Sequence, residues 1–148
     1  MLIRDYRFDD QPFILELLRL NTPMYFAPEE EPDLRYYLAH ELEAYFIVEH
    51  ECQLIGCGGI NFSNDRTTAT ISWDIVHPMY QGQGIGTWLL NHRIARIQSL
   101  PNSRSITVRT SQFAHKFYEK NGFKLTEIRE SYWAKGFDLY HMEYTLKQ

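Results

Sequence analysis

The chain has 148 residues, of which 44% are hydrophobic and 23% charged, and its net charge at pH 7 is −4. That length suits one folded domain with a real core, and the composition is typical of a water-soluble globular protein. No apolar run approaches the ~18 residues of a membrane helix, and the N-terminus lacks the layout of a signal peptide. We therefore expect a single domain over residues 1–148, a cytoplasmic location and no membrane partner.

The charge is unevenly distributed. Residues 77–124 carry seven Lys or Arg and one acid, a block of +6 that leaves −10 for the rest of the chain. This block suggests a bound anion, although a solvated basic helix face is an alternative. Nucleic-acid binding is not expected of an acidic chain. The two cysteines, Cys52 and Cys57, have no metal-ligand spacing, so no metal is expected.

The first elements are a strand and an amphipathic helix. Leu2 to Tyr6 reads as the strand. Asp9 or Asp10 can then cap a helix with Pro12 in its first turn. The predicted apolar face of this helix consists of Phe13, Leu17 and Leu20, with Ile14, Leu15 and Leu18 beside them.

A loop, a helix and a hairpin follow. Three prolines and the acidic run Glu29-Glu30-Glu31 predict a loop over Thr22 to Pro32, and apolar residues at helical spacing predict a helix from Asp33 to Glu43. Strands at Tyr45 to Glu49 and Gln53 to Ile60 flank a short turn at His50-Glu51, which indicates a hairpin.

The clearest strand runs from Thr68 to Val76, where apolar and polar residues alternate with a period of two. It leads through a glycine-rich turn into a helix predicted over Gly84 to Leu100, whose apolar face carries Leu90, Ile94 and Ile97. This order of strand, glycine turn and helix is typical of phosphate binding, because glycines let the backbone approach an anion and free N–H groups face it.

The last elements are a strand at Ser105 to Thr110, a short helix at Phe113 to Asn121 that Gly122 ends, and strands at Phe123 to Ile128 and Asp138 to Leu146. A loop containing Gly136 separates the last two strands. Hairpins first and β-α-β units later predict a mixed α/β sheet rather than a doubly wound parallel one.

The glycine turn Gln81-Gly82-Gln83-Gly84-Ile85-Gly86 does not match two common nucleotide motifs. The dinucleotide fingerprint requires a third glycine where this chain has Thr87, and a P-loop requires a Lys-Ser/Thr pair after Gly86. The pattern Q/R-x-x-G-x-G/A does fit. It resembles the acyl-CoA pyrophosphate loop of the GNAT superfamily of N-acetyltransferases.

Further segments resemble that family in the same order. "FAHKFYEKNGF" is similar to its signature Ala-x-x-x-Tyr-x-Lys-x-Gly-Phe segment, "LIGCGGI" to its third strand and "DLYHMEYTL" to its last strand. The resemblance implies a mostly antiparallel six- to seven-stranded sheet flanked by about four helices. It also implies acetyl-CoA as cosubstrate and makes a homodimer possible, since dimers are common in the family.

The resemblance implies the coenzyme-binding residues by position. Loop N–H groups would hold the pyrophosphate, and the peptide groups of Ile75 and Val76 would pair with the pantetheine arm. Ser111 stands where many members have Asn, and Gln112 is the alternative for that contact. The complete set is Ile75, Val76, Gln81, Gly82, Gln83, Gly84, Ile85, Gly86, Thr87, Ser111 and Lys120.

The family motif makes Tyr118 the candidate general acid that protonates the leaving thiolate. Some relatives carry a carboxylate base on the fourth or fifth strand, but this chain has Thr70 and Thr107 there. Asp74, on the predicted polar face with Thr70 and Ser72, is the remaining candidate base, and an exposed strand aspartate is the alternative explanation. His77 is a less favoured candidate.

We therefore expect acetyl transfer to a primary amine of an unidentified small molecule, peptide or protein. The amine would attack the thioester directly, and backbone N–H near Val76 would polarise the carbonyl. Two alternatives stay open: a non-catalytic acyl-CoA-binding or regulatory module, and a nucleotide-dependent enzyme that uses NAD or ATP. The acidic run Glu29-Glu30-Glu31 is suited to binding a cationic acceptor, together with four aromatic residues: Tyr25, Phe26, Tyr36 and Tyr37. The alternative is that the acidic run is solvated and the aromatic residues belong to the core.

Overall fold

A computed structural model describes residues 1–146, in which seven strands form one sheet in the order β1-β2-β3-β4-β5-β7-β6. Neighbouring strands are antiparallel except β4 and β5, which are parallel. The strands are β1 Leu2–Asp5, β2 Ala44–His50, β3 Gln53–Phe62, β4 Thr68–Val76, β5 Ser105–Thr110, β6 Lys124–Ala134 and β7 Phe137–Thr145. This mixed, mostly antiparallel sheet confirms the predicted fold class.

Four helices cover the two faces of the sheet: α1 Gln11–Leu20, α2 Glu30–Tyr36, α3 Ile85–Gln98 and α4 His115–Lys120. The core under α3 contains Leu90 and Ile97 together with Ile71 of β4. The core on the other face is formed by α1 and α2 with residues of β2 to β4, including Ile75. We refer to these as the α3 face and the α1 face. No helix within residues 1–146 has the length and apolarity required to span a bilayer.

The predicted apolar face of α1 was partly wrong. Ile14, Leu15, Leu17 and Leu18 are buried, whereas Phe13 and Leu20 are exposed. The helix starts at Gln11 with Pro12 in its first turn, as predicted. The buried face of α1 is narrower than the set of apolar residues in its sequence, so Phe13 and Leu20 are apolar but do not pack on the sheet.

The predicted loop over residues 22–32 was too long. Helix α2 already begins at Glu30, a π-helical turn over Tyr37–Glu41 continues it, and Leu42 is extended. Pro32 therefore lies in the first turn of a helix, where its missing N–H costs no hydrogen bond. The acidic residues fall at the same helix start, which favours negative charge.

The last hairpin is longer than predicted, since β6 continues to Ala134 and β7 begins at Phe137. Nearly every β6 residue is exposed, so its sequence lacks the alternation that marks a half-buried strand. In the hairpin of β2 and β3 the turn lies at Glu51-Cys52, both with positive φ, one residue later than expected. The ends of α3 and α4 match the predictions to within two residues.

A β-bulge interrupts β4 in the middle of the predicted alternation. Cys57 pairs with Ile75 but Gly59 pairs with Ser72, so Trp73 and Asp74 together oppose the single residue Gly58. Trp73 takes a positive φ of 51°. A bulge of this kind reverses the faces that the following side chains point to.

The bulge corrects the predicted position of Asp74. Ile71 packs on the α3 face and Ile75 on the α1 face, although regular alternation would put both on one side. Ser72 hydrogen-bonds Asn61 on the α1 face, whereas Asp74 contacts Arg93 of α3. Asp74 thus lies on the face opposite Ser72, not beside it on a shared polar face.

Strands β4 and β5 separate halfway along their length. They pair from Thr68 to Ile71, opposite Ser105 to Val108, and then β4 continues with β3 while Arg109 and Thr110 of β5 continue with β7. Beyond Ile71, the edge of β4 that faces β5 has no strand partner in the described part of the chain. The gap leaves backbone donors and acceptors available to a bound molecule.

We predict that Gly58→Ala destabilises the fold by about 1–3 kcal/mol, because overpacking forces the neighbours to move. A Cβ at Gly58 would lie 2.7 Å from Arg93 Nη1 and also against Asp74. The matched control is Gly56→Ala on the same strand, where the nearest heavy atom would lie at 3.5 Å. Urea unfolding of both variants is the measurement, and equal midpoints would contradict the prediction.

Candidate active site

A cavity of about 800 Å³ opens between the separated ends of β4 and β5. Most of the residues predicted for the site line it: Asp74, Ile75, Val76, Gln81, Gly82, Gly84, Gly86, Thr87, Ser111, Tyr118 and Lys120. Two predicted residues do not. Ile85 is buried in the core under α3, and the exposed Gln83 donates to the carbonyl oxygen of Met79.

The glycine turn forms the mouth of this cavity. Gly82 and Gly84 have φ of 77° and 83°, and no heavy atom lies within 4 Å of where their Cβ atoms would be. Gly84 is the N-cap of α3 and provides no side-chain cap. The first-turn N–H groups of the helix therefore have no intrahelical acceptor beside this open turn, an arrangement that suits an anion.

Two amide side chains fix the position of the turn. Gln81 Nε2 donates to Asn21 Oδ1 at 2.9 Å and to the carbonyl oxygen of Val76 at 3.0 Å. Asn21, which is buried at the end of α1, donates to the same Val76 oxygen at 3.2 Å. This Asn21–Val76–Gln81 clamp ties α1, β4 and the turn together without a ligand. Sequence analysis did not single out Asn21.

The open turn and the gap beside β4 fit an acyl-CoA molecule. The turn offers N–H groups to a pyrophosphate, and the free edge of β4 offers peptide groups to an extended arm. The Val76 carbonyl already accepts two of the three hydrogen bonds of the clamp, so the N–H of Val76 is the group left to pair with a ligand. On the other side of the mouth, a Cβ at Gly86 would lie 3.2 Å from the ring of Phe117, so a larger residue there would require that ring to move.

Ser111 and Gln112 have different positions. Ser111 lines the cavity, and its hydroxyl accepts from the N–H of Phe113 at the start of α4. Gln112 is bound at both ends to the last hairpin, donating to the Gly136 carbonyl and accepting from the Asp138 N–H. Of the two alternatives, Ser111 is the one whose side chain faces the cavity.

A buried triad of side chains lies at the inner end of the cavity. The Tyr118 hydroxyl donates to Asp74 Oδ2 at 2.5 Å, and Arg93 Nη1 lies 2.5 Å from Asp74 Oδ1. Arg93 has no solvent exposure and also donates to the carbonyl oxygens of Leu89 and Gly59. Both oxygens of Asp74 are therefore engaged.

The environment of the triad sets its protonation. Burial raises the pKa of Tyr118 well above its usual value, and the Asp74 carboxylate raises it further, while Arg93 opposes both. Burial alone would lower the pKa of Arg93, but pairing with Asp74 more than offsets that effect. Tyr118 thus keeps its proton throughout the neutral pH range.

Arg93 was not predicted as part of the site, although its position carries a signal. Arg93 lies with Leu89, Leu90, Ile94 and Ile97 on the buried face of α3. A charged residue on a buried helix face requires a buried partner of opposite charge. The signal identifies no partner by itself, because the bulge that turns Asp74 toward Arg93 is not visible in the sequence.

The basic block does not form one anion site. Arg93 is neutralised by Asp74, and Arg96 lies over the ring of Phe46, outside the cavity. Lys120 of α4 lines the cavity on the α3 face, the side from which the glycine turn enters helix α3. Charge counting along the sequence therefore overstated the cationic character of this region.

The acidic run is also dispersed. Glu31 is paired with Arg19 and Arg35 at the surface, Glu29 is exposed, and only Glu30 lines the cavity. Tyr25, Phe26 and Tyr37 line it too, but Tyr36 is exposed and packs on His40 outside it. The predicted cluster of three carboxylates and four rings is thus reduced to one carboxyl and three rings.

Glu30 is a partly desolvated carboxyl. Its Oε2 accepts from the N–H of Ala27 at 2.7 Å. Burial raises its pKa to about 7, and the nearby carboxylates Asp33 and Glu29 contribute to the increase. A carboxyl in this range exchanges its proton near neutral pH.

The other candidate groups are accounted for locally. Thr70 and Thr107 hydrogen-bond each other at 3.0 Å where β4 and β5 are still paired. His77 Nδ1 accepts from the N–H of Met79. Cys57 is buried, and burial raises the pKa of its thiol to about 12, which keeps the nucleophilic thiolate unpopulated.

The fold and this cavity define an acyl-CoA-dependent transferase class. The chain belongs to the acetyltransferase (GNAT) family, whose sequence model matches residues 14–123. It is 29% identical over 133 residues to the amino-acid acetyltransferase of Pasteurella multocida strain Pm70. That match covers 86% of this chain and 28% of the relative, so the chain spans little more than a quarter of the relative's length.

Solved structures share the fold across the whole chain. The ribosomal-protein-S18-alanine N-acetyltransferase of Escherichia coli superposes with a TM-score of 0.80 at 19% identity, covering 99% of this chain and 94% of that one. An aminoglycoside 6′-N-acetyltransferase complexed with coenzyme A gives 0.79 at 16% identity, covering 100% and 99%. At these identities the likeness concerns the fold.

We predict that Glu30 makes the fold less stable as the pH rises through about 7. Its pKa in the folded protein lies above its unfolded value of 4.5, so its protonated form stabilises the fold most below about pH 4.5, and that contribution is lost as the pH approaches 7. Glu30→Gln cannot ionise but keeps an oxygen for the Ala27 N–H.

Chemical unfolding at about pH 5 and about pH 8 tests this, with Glu130→Gln, an exposed position on β6 away from Glu30, as control. The stability of Glu30→Gln relative to the wild type should increase with pH, whereas that of Glu130→Gln should not. A pH-independent difference for Glu30→Gln would contradict the prediction.

Proposed function

We propose that this protein transfers the acetyl group of acetyl-CoA to a primary amine. The observation that carries the proposal is the cavity between β4 and β5, which joins an open glycine turn to a buried, protonated tyrosine. Family membership supports the same reaction. The named relatives act on different acceptors, but amino acids, a ribosomal protein alanine and aminoglycosides all provide an amine.

In this proposal the coenzyme supplies an activated acetyl thioester. The N–H groups of the glycine turn and of the first turn of α3 hold its pyrophosphate, and Lys120 lies on the same side. The backbone N–H of Val76 aligns the extended arm along the free edge of β4, whereas Ile75, also expected there from the sequence, is paired with Cys57 of β3. Because the clamp fixes the turn beforehand, little ordering is required when the ligand binds.

Tyr118 is the proposed proton donor to the leaving sulfur. Its proton points to Asp74 in the free protein, and loss of the proton would leave a phenolate beside a carboxylate. The guanidinium of Arg93 on the far side of Asp74 offsets part of that charge. We therefore propose that Asp74 orients Tyr118, in place of the base role expected from the sequence, since one Asp74 oxygen accepts from Tyr118 and the other is ion-paired with Arg93.

The acceptor amine must lose a proton to attack. Glu30 suits this task better than Asp74, because it lines the cavity and its Oε1 has no donor among the described residues. Its pKa of about 7 is suited to accepting a proton from an ammonium group near neutral pH. A cytoplasmic location and a homodimer remain predictions.

The second candidate is a non-catalytic acyl-CoA-binding module. The absence of a carboxylate at Thr70 and Thr107 favours it, whereas the protonated Tyr118 at the inner end of the cavity favours catalysis. The two are separated by whether free coenzyme A is produced when amines are added to the protein with acetyl-CoA.

Ligand specificity is the first test. At a hundred times its dissociation constant, acetyl-CoA should stabilise the protein by ~2.7 kcal/mol, a shift in Tm of several degrees for a domain of this size. Thermal unfolding with acetyl-CoA, NAD and ATP in parallel is the measurement. A larger shift with NAD or ATP would support the nucleotide-dependent alternative instead.

Tyr118→Phe tests the proton donor. We expect kcat to fall roughly 10²-fold or more, because general acid–base groups contribute that much, while the Kd of acetyl-CoA changes little. Tyr36→Phe, an exposed tyrosine outside the cavity, is the matched control. If kcat of Tyr118→Phe equals that of the control, Tyr118 is not the donor.

A further inference from the structure

Arg109 of β5 points to the face opposite the coenzyme. Its neighbours Ile106 and Val108 are buried in the core under α3, so alternation directs Thr107 and Arg109 to the α1 face. The hydrogen bond between Thr107 and Thr70 agrees with this direction. The glycine turn leads into α3 on the other face. Arg109 is therefore not placed to bind the coenzyme phosphates.

The guanidinium of Arg109 is held in place by aromatic rings rather than by a carboxylate. Its Cζ lies 5.0 Å from the ring centre of Tyr132 and 5.5 Å from that of Trp133, and Nη2 donates to the Tyr132 hydroxyl. Trp133 is itself fixed by a bond to the Thr110 carbonyl. Within residues 1–146 no acidic side chain pairs with Arg109.

Arg109 also lines the cavity, together with Trp133 and Thr110. Its Nε and Nη1 donate to no described atom and Nη2 makes one bond, so four of the five N–H bonds, including one of the two parallel pairs that can bind a carboxylate, have no partner in the described part of the chain. Glu30 of α2 lines the same cavity. The lining therefore includes both a carboxyl and a guanidinium that no described acidic side chain neutralises.

We propose that the acceptor bears a carboxylate as well as the amine, that Arg109 binds this carboxylate, and that the substrate is a free amino acid. The inference rests on the proposed function and narrows its acceptor class. A guanidinium and a carboxylate make two parallel charge-assisted hydrogen bonds, and rings that hold the fork in position reduce the entropy lost on binding.

The test compares the standard L-amino acids with their carboxamides as acceptors, which differ only in the group that Arg109 would bind. Arg109→Met should raise KM for the preferred amino acid about 10- to 100-fold, leave KM for its carboxamide unchanged and leave KM for acetyl-CoA unchanged. Arg109→Lys keeps the charge but not the planar fork, so its KM for the amino acid should lie between those of the wild type and Arg109→Met.

The control variant is Arg96→Met, an exposed arginine that likewise lies over an aromatic ring, that of Phe46 at 5.4 Å, but outside the cavity. It should behave as the wild type. If Arg109→Met weakened amino acid and carboxamide equally, Arg109 would only support the last hairpin. Wild-type preference for carboxamides would also overturn the proposal.

A binding measurement separates this inference from the proposed function. Thermal unfolding of the coenzyme A complex is followed with each amino acid and each carboxamide. Stabilisation by an amino acid that is lost in Arg109→Met supports the carboxylate site even if no acetyl transfer is detected. If the complex forms but no amino acid stabilises it, the proposal fails. Lack of any response to coenzyme A would instead refute the proposed function.

Discussion

The buried guanidinium of Arg93 imposes the constraint on which the rest of the site depends. A charge with no solvent exposure must find its partners inside the protein, and removal of one partner from such a pair is strongly destabilising. Asp74 meets this requirement because the bulge in β4 turns it to the α3 face, and Gly58 leaves the space that both side chains occupy. The paired Asp74 then receives the hydroxyl of Tyr118. The proposed catalytic geometry and the stability of the core thus depend on the same atoms.

The second organising feature is the separation of β4 from β5. The two strands pair at one end, where Thr70 meets Thr107, and diverge at the other, so the sheet contains the cavity within its own plane. One face of the opening leads to the glycine turn and α4, and the other to α2 and the last hairpin. In the proposed reaction, the coenzyme would lie toward the glycine turn and the acceptor toward α2, and the two would meet where the strands diverge.

Much of the fold was predictable because local signals agreed. The strand Ser105–Thr110 and the hairpin of β2 and β3 follow from alternation and turn residues, and the glycine turn follows from its φ requirements. Long-range pairing between residues could not be predicted from the sequence. The positive φ of Trp73 has no sequence signature, so regular alternation put Asp74 on the wrong face. Asn21 and Arg109 were missed for a related reason, since their roles depend on distant partners such as Gln81, Tyr132 and Trp133.

The packing of Gly58, Asp74, Arg93 and Tyr118 into one contact also restricts how this protein can evolve. Each residue sets which side chains its neighbours tolerate, so the effects of substitutions within the group are non-additive. Neutralising Asp74 alone leaves the cation of Arg93 without a partner. Shortening Arg93 alone leaves the anion of Asp74 without a partner and opens a void beside Gly58. Replacing the proton donor or the core residues of this group without loss of stability therefore requires two substitutions at once. The four positions form an epistatic unit, and they should be varied together when the protein is engineered.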